Sequence, residues 1–357
     1  MDYQPRDRPP FLEFGYWDET IQRWHREGLP RHVDKENAAD YFGLDFDRYQ
    51  VVTGFPVSVG LEPPFEELVI DDRGAKEVFQ QADGSRVLRH KTHSSIPLHL
   101  DYLLTDRQSW REHYLPRLDP DTLARFPDDW DDLIKAWDEP DRSEPIFLWA
   151  GSLYGKLRDW MGLENISYVI YDDPLWFNEM VTTLADCTIG ALTKVLESEV
   201  TFDACGMWED MAYKSGPLIS PKHFKKYLSP HYRRISDLLR RHGVEILWVD
   251  CDGNIEKLVP LWLECGVNCV IPFEVGTWGA DPLAYRRIFG KDLRMMGGFN
   301  KRILAGSKAA IEAEVIRLAQ LVKEGGYIGF CDHYVPPDVS LENYLFYLDK
   351  TKQYWGN

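Results

Sequence analysis

Five short stretches hold most of the side chains able to do chemistry: Trp208-Glu209-Asp210, Asp250-Cys251-Asp252-Gly253-Asn254, Phe273-Glu274, Gly297-Gly298-Phe299-Asn300-Lys301 and Cys331-Asp332-His333. Residues two apart on an extended strand project to the same side, so Asp250 and Asp252 can face one cavity together. Carboxylates held close repel, which raises one pKa and creates an acid/base pair. A competing reading has Asp252 capping a helix that begins near Ile255, with Gly253-Asn254 making the turn. His333 is the one histidine placed at a strand end, where an imidazole can carry protons near neutral pH. Against the reading of a structural histidine stand its neighbours Asp332 and Tyr334 and the loop Val335-Pro336-Pro337-Asp338. The candidate catalytic group is therefore Glu209, Asp210, Asp252 and His333, with Trp208, Tyr213, Phe273, Glu274 and Asn300 lining a substrate.

Asp250, Asp252 and Cys331, with His333 as an alternative third ligand, form a candidate site for zinc or another divalent metal. Two carboxylates make such a set hard and less suited to zinc. Cys265 and Cys269 have no matching second pair, which excludes a structural zinc knuckle. Gly151-Ser152 lacks the Gly-x-Ser-x-Gly frame of a nucleophile elbow.

These stretches need elements that bring them together. From residue 120, apolar runs at Pro145–Ala150, Thr201–Trp208, Glu245–Val249, Val267–Phe273, Leu293–Gly297 and Gly326–Phe330 alternate with helical patterns at Pro174–Glu197, Pro221–His242, Ile255–Cys265, Asp281–Phe289 and Lys308–Glu324. Buried strands alternating with amphipathic helices predict parallel βα units. An extended run at 51–60 adds a seventh strand, and an eighth is expected among residues 90–110. No Gly-x-Gly-x-x-Gly or Gly-x-x-x-x-Gly-Lys-Ser/Thr is present, which disfavours an open nucleotide-binding sheet. The expectation is an α/β protein, a (β/α)8 TIM barrel over residues 51–357, with an N-terminal arm at 1–50 that includes a helix over Asp18–Glu27. A β-hairpin excursion is expected from Glu66–Ile70 and Arg86–His90, around Ala82-Asp83-Gly84-Ser85. In such a barrel the C-terminal strand ends share one mouth, which is where all five chemical stretches fall.

The 357 residues are 44% hydrophobic, enough for a large core, and carry a net charge of −17. That charge repels nucleic acid and anionic membranes. The first eight residues have no apolar stretch, no run approaches a membrane span, and six cysteines show no framework; a cytoplasmic protein acting on a small molecule is expected.

The chain resembles the uroporphyrinogen decarboxylase superfamily, which joins haem-pathway decarboxylases to cobamide-dependent methyltransferases. The matching stretches run from Glu209-Asp210-Met211-Ala212-Tyr213-Lys214-Ser215-Gly216-Pro217 through Asp252-Gly253-Asn254, Glu264-Cys265-Gly266-Val267-Asn268, Phe289-Gly290-Lys291-Asp292 and Gly297-Gly298-Phe299-Asn300-Lys301 to Asp332-His333-Tyr334-Val335-Pro336-Pro337-Asp338. They cover residues 145–350. The resemblance implies a TIM barrel, often dimeric, whose mouth accepts a corrinoid or a corrinoid protein. Two decarboxylase signatures are missing: the early region reads Arg26-Glu27-Gly28-Leu29-Pro30-Arg31 in place of Arg-Gln-Ala-Gly-Arg, and Ser58-Val59-Gly60-Leu61-Glu62 replaces Phe-Ser-Asp. Where the methyltransferases place the His and Cys of a zinc site, this chain has Asp250 and Asp252. The resemblance thus implies methyl transfer to or from a corrinoid or a small methoxylated substrate. Its alternatives are decarboxylation of a tetrapyrrolic or small acid, seated by few cations beyond Lys214 and Lys301, and a non-catalytic barrel that binds a corrinoid or a partner protein.

Overall fold

Six short, almost wholly apolar segments lie side by side in a computed structural model that describes residues 1, 3, 8–47, 55–91, 97–138 and 145–356. The strands in chain order are β1 (Leu12–Glu13), β2 (Phe46–Asp47), β3 (Leu68–Arg73), β4 (Lys76–Gln80), β5 (Arg86–His90), β6 (Leu98–Asp101), β7 (Phe147–Trp149), β8 (Ala204–Trp208), β9 (Ala212–Tyr213), β10 (Gly216–Pro217), β11 (Leu247–Asp250), β12 (Cys269–Phe273), β13 (Arg294–Gly297) and β14 (Tyr327–Ile328). The six form one sheet in the order β7-β8-β11-β12-β13-β14, every neighbouring pair parallel. All six correspond to the apolar runs of the sequence. Helices cross over between them at Pro174–Leu196, Ser229–Arg241, Val259–Leu263, Pro282–Phe289 and Lys308–Glu324. Their starts are chemically marked: the Asp173, Asp281 and Ser307 side chains accept from Trp176, Leu283 and Ala310 N–H groups, filling donors that a helix start leaves open.

The sheet is buried on both faces, as parallel sheets require. Cys205, Met207, Val249, Val270 and Met295 point into the large core shared with the helices. Their neighbours Ala204, Trp248, Cys269, Ile271 and Met296 turn to the other face, where Leu12 and Phe14 of the N-terminal arm join them. Period-two alternation thus serves two apolar environments, which is why the strands read as continuous apolar runs.

Several expectations are corrected. Residues 51–54 lie outside the described residues, and 55–60 form bends, with Phe55 N–H donating to the Phe147 carbonyl at 2.6 Å. The strand found between 90 and 110 is β6, antiparallel to β5, so it adds nothing to the parallel sheet. It completes a four-stranded antiparallel sheet, β3-β4-β5-β6. The turn at Ala82–Ser85 does form, but it pairs Gln80 with Arg86, and so joins β4 to β5 in place of 66–70 to 86–90. Gly84 at that turn has φ 85°, a conformation glycine adopts without cost. Helices at Gly155–Met161, Leu163–Asp172 and Leu341–Trp355 had no counterpart in the sequence reading. Among the described residues no helix is long and apolar enough to cross a membrane.

Candidate active site

β8 and β11 pair with Trp208 opposite Asp250, which sets the two acidic turns Glu209-Asp210 and Cys251-Asp252 side by side. The Asp252 backbone N–H donates to Asp210 Oδ1 at 3.0 Å. His333, arriving from beyond β14, places Nε2 3.3 Å from Asp252 Oδ2. Its Nδ1 accepts the N–H of Tyr334 at 2.8 Å, so the neutral ring carries its proton on Nε2, facing the carboxylate. Phe14, Trp17 and Tyr334 surround the imidazole, with ring centroids 4.9, 6.5 and 5.1 Å away. Three of the four expected catalytic residues therefore meet.

Asp210 is the strained member. Its φ of 38° is left-handed, a region that L residues rarely occupy and that Asp tolerates better than most. Arg158 bonds to its carbonyl oxygen. Burial, then the neighbouring Asp252 charge, pushes the Asp210 carboxyl up to about 6, while the Asp252 N–H and Arg158 pull the other way. A carboxyl raised this far gives up a proton near neutral pH, as a general acid must.

Glu209 takes a different part. Fully buried, it accepts through Oε1 from Leu153 N–H and Tyr232 OH at 2.9 and 2.6 Å. Through Oε2 it accepts from Ser152 Oγ, Tyr154 N–H and Gly155 N–H at 3.0, 2.9 and 3.0 Å. The carboxylate thus fills the open donors at the start of helix Gly155–Met161.

The same device recurs around the strand ends. Glu274 Oε2 accepts from Gly253 N–H at 2.8 Å, and Glu274 Oε1 from Thr277. Asp332 Oδ2 accepts from Val275 and Gly276 N–H at 3.1 and 2.7 Å, and Oδ1 from Lys301 N–H at 3.0 Å. Each carboxylate after one strand is bonded to the loop after another, linking the ends of β7, β8, β11, β12, β13 and β14.

Other expected residues sort by burial. Trp208 is half-buried, and Tyr213, on the β9–β10 hairpin, is exposed. Phe273 has no exposed surface and packs on Tyr285 and Trp278. Asn300 uses Oδ1 to accept from Arg302 N–H at 3.1 Å. Asp252 caps no helix; the nearest begins at Val259, after Leu258.

One carboxylate oxygen from each of Asp210, Asp250 and Asp252 lies within 4.8 Å of the other two, the one metal-competent cluster among the described residues. Cys331 is not part of it. Its backbone N–H donates to Glu13 Oε1 at 3.0 Å, and burial together with Glu13 and Asp332 raises its thiol well above the ordinary value. It is position that keeps Cys331 out of the carboxylate cluster. The residues present fit a hard divalent cation on three carboxylates, and they do not fit a thiolate zinc centre.

Two cations escaped the sequence reading. Lys156 Nζ and the Arg158 guanidinium stand 5.6 and 5.2 Å from the centre of the Trp208 ring. The signal was their position in the first turn of the helix that follows β7, beside the C-terminal ends of the parallel strands. Buried Glu13, between Phe14 and Cys331, was missed as well.

The sequence profile of the uroporphyrinogen decarboxylase (URO-D) family matches residues 154–354, more than half of the chain. The chain belongs to the uroporphyrinogen decarboxylase family. The matched region includes Asp210, Asp252 and His333 and leaves out the N-terminal arm whose rings pack on that histidine. Among solved structures, a methyltransferase from Methanosarcina mazei is similar at a TM-score of 0.55 and 12% identity, over 99% of this chain and 96% of that one. At that identity the likeness shows the fold alone. No curated protein matches.

Proposed function

We propose that this protein is a cobamide-linked methyltransferase or demethylase, acting in the cytoplasm on a small methoxylated substrate or on a methyl group carried by a corrinoid. The observation that carries this reading is the Asp210–Asp252–His333 group beside the half-buried Trp208. Removing a methyl group from an ether oxygen needs a proton for the departing oxygen, and a carboxyl raised to about 6 holds one. Asp252 orients the group: it donates its backbone N–H to Asp210 and faces His333 Nε2 with its side chain. Trp208 and Tyr213 provide the aromatic wall, while Glu209, Glu274 and Asp332 position the loops. A corrinoid supplies the methyl-carrying centre when bound, and Tyr213 and Trp208 are the residues that would flank it. A divalent cation would be held by Asp210, Asp250 and Asp252 and would orient the donor oxygen.

The family's closed (β/α)8 barrel is part of the same proposal. It is supported at one sheet edge by the Phe55–Phe147 hydrogen bond, and near the other by the parallel bridge between Tyr16 and Val335.

A second reading, decarboxylation, is favoured by Lys156 and Arg158 beside Trp208, which would seat a carboxylate. One assay separates the two. Purified protein is incubated with methoxylated aromatic substrates and reduced cobamide, and cobamide methylation and carbon dioxide release are followed together. We expect methylation that depends on cobamide and falls at least about 100-fold in Asp252→Asn and His333→Gln. Carbon dioxide release without cobamide would replace this reading with the second.

A further inference from the structure

The N-terminal arm leaves β1 through Glu13-Phe14-Gly15-Tyr16-Trp17, one carboxyl followed by aromatic rings and a glycine. Burying a carboxyl is costly unless hydrogen bonds replace its water, and Glu13 is 2% exposed. Its Oε1 accepts the N–H of Phe14 and of Cys331, each at 3.0 Å, and Tyr344 OH approaches Oε2 at 3.4 Å. Cys331 is two residues before His333. Two residues after His333, the Val335 N–H donates to the Gly15 carbonyl at 2.9 Å, and the Val335 carbonyl accepts from Thr20 Oγ1 at 2.7 Å. The arm thus grips the loop that carries the imidazole on both sides of it.

Gly15 lets the two segments close. Its φ is 132°, a conformation that side chains rarely adopt, and a Cβ there would stand 2.5 Å from the Tyr334 ring. Tyr334 supplies the N–H that occupies His333 Nδ1, and Phe14 and Trp17 pack on the imidazole itself. The family profile begins at residue 154, so membership assigns nothing to this segment. We infer that Glu13–Trp17 is part of the active site, with Glu13 and Gly15 as positioning residues that fix the direction and tautomer of His333. The inference rests on the reading of His333 as a member of the working group. Its test reads the imidazole directly, so it can fail where methyl transfer is found and stand where it is not.

The full chain, with ten histidines, is labelled with 15N-histidine, and the His333 ring signals are assigned by their loss in His333→Gln. At pH 8, where an ordinary imidazole is neutral, the two ring nitrogens report which of them carries the proton. The Nε2–H form is expected in the parent and in Glu13→Gln, whose amide oxygen still accepts both backbone N–H groups. In Glu13→Leu and in Gly15→Ala the ratio of Nε2–H to Nδ1–H is expected to fall about fivefold, the factor one ordinary hydrogen bond contributes. A role in stability alone would lower the melting temperature and leave this ratio unchanged in the folded protein. A parental ratio in Gly15→Ala and in folded Glu13→Leu overturns the inference. So does a fall in Glu13→Gln as large as that in Glu13→Leu. Should Glu13→Leu not fold, Gly15→Ala decides alone.

Discussion

His333 Nε2 and Asp252 Oδ2 stand 3.3 Å apart, joining the loop beyond β14 to the loop beyond β11. Because Nδ1 is occupied by the Tyr334 N–H, the only proton of the neutral ring points at Asp252. Replacing His333 with Gln is expected to leave thermal stability within about 1 kcal/mol, since the side chain is partly exposed. Turnover should nevertheless collapse. Melting curves beside the methylation assay would show both.

The pH profile follows from Asp210. Its carboxyl, raised to about 6 by burial and by Asp252, is protonated below that pH and ionised above it. A reaction that needs this proton loses rate as pH climbs through 6. Asp252→Asn removes one of the two raising influences, so the falling limb in the remaining activity should move to lower pH. A limb that stays in place or moves up would remove Asp210 from the acid role.

Glu13 predicts a pH-dependent stability. Burial pushes its carboxyl up to about 7, against hydrogen bonds from Phe14, Cys331 and Tyr344 that lower it. Below the ordinary carboxylate range, folded and unfolded chains are both protonated at this group. As pH rises towards 7, only the unfolded chain gains by ionising, so the folded state loses stability, by at most about 3 kcal/mol. Glu13→Gln should flatten that loss. Urea denaturation at pH 5 and pH 8 should show a gap between variant and parent that widens at pH 8.

Glu209→Ala should be a folding defect before it is a catalytic one. Five donors lose their acceptor, three of them backbone N–H groups at a helix start. A loss of about 3 kcal/mol or more is expected, read as a lower urea midpoint. A variant with parental stability and no activity would return Glu209 to the catalytic group.

The metal set is testable by titration. Manganese should raise the melting temperature of the parent and not of Asp210→Asn, whereas Cys331→Ser should keep the response. A response lost in Cys331→Ser would restore the thiol as a ligand.

The six parallel strands were legible because burial on both faces leaves runs such as Cys269–Phe273 apolar throughout. Their chemical ends were legible because polar and acidic residues cluster just after the runs, at Glu209-Asp210, Asp250 to Asp252, Glu274 and Asp332-His333. The division of labour among the carboxylates was not. Glu209 and Asp210 are adjacent in sequence and look alike, and only the helix start folded onto Glu209 separates an anchor from a titrating acid. The neighbours of Cys331 were hidden for a similar reason: it meets Glu13, in a segment far away along the chain. Lys156 and Arg158 gave no motif, only a place.

The loops after the parallel strands are tied together by carboxylates that are mostly hidden from water, Glu209, Glu274 and Asp332 each gripping backbone. Salt weakens charges at the surface and reaches such internal ties poorly. The shape of the entrance should therefore persist at ionic strengths that loosen the outer ion pairs, and a partner that docks through charge could be washed off without disturbing what it docks on.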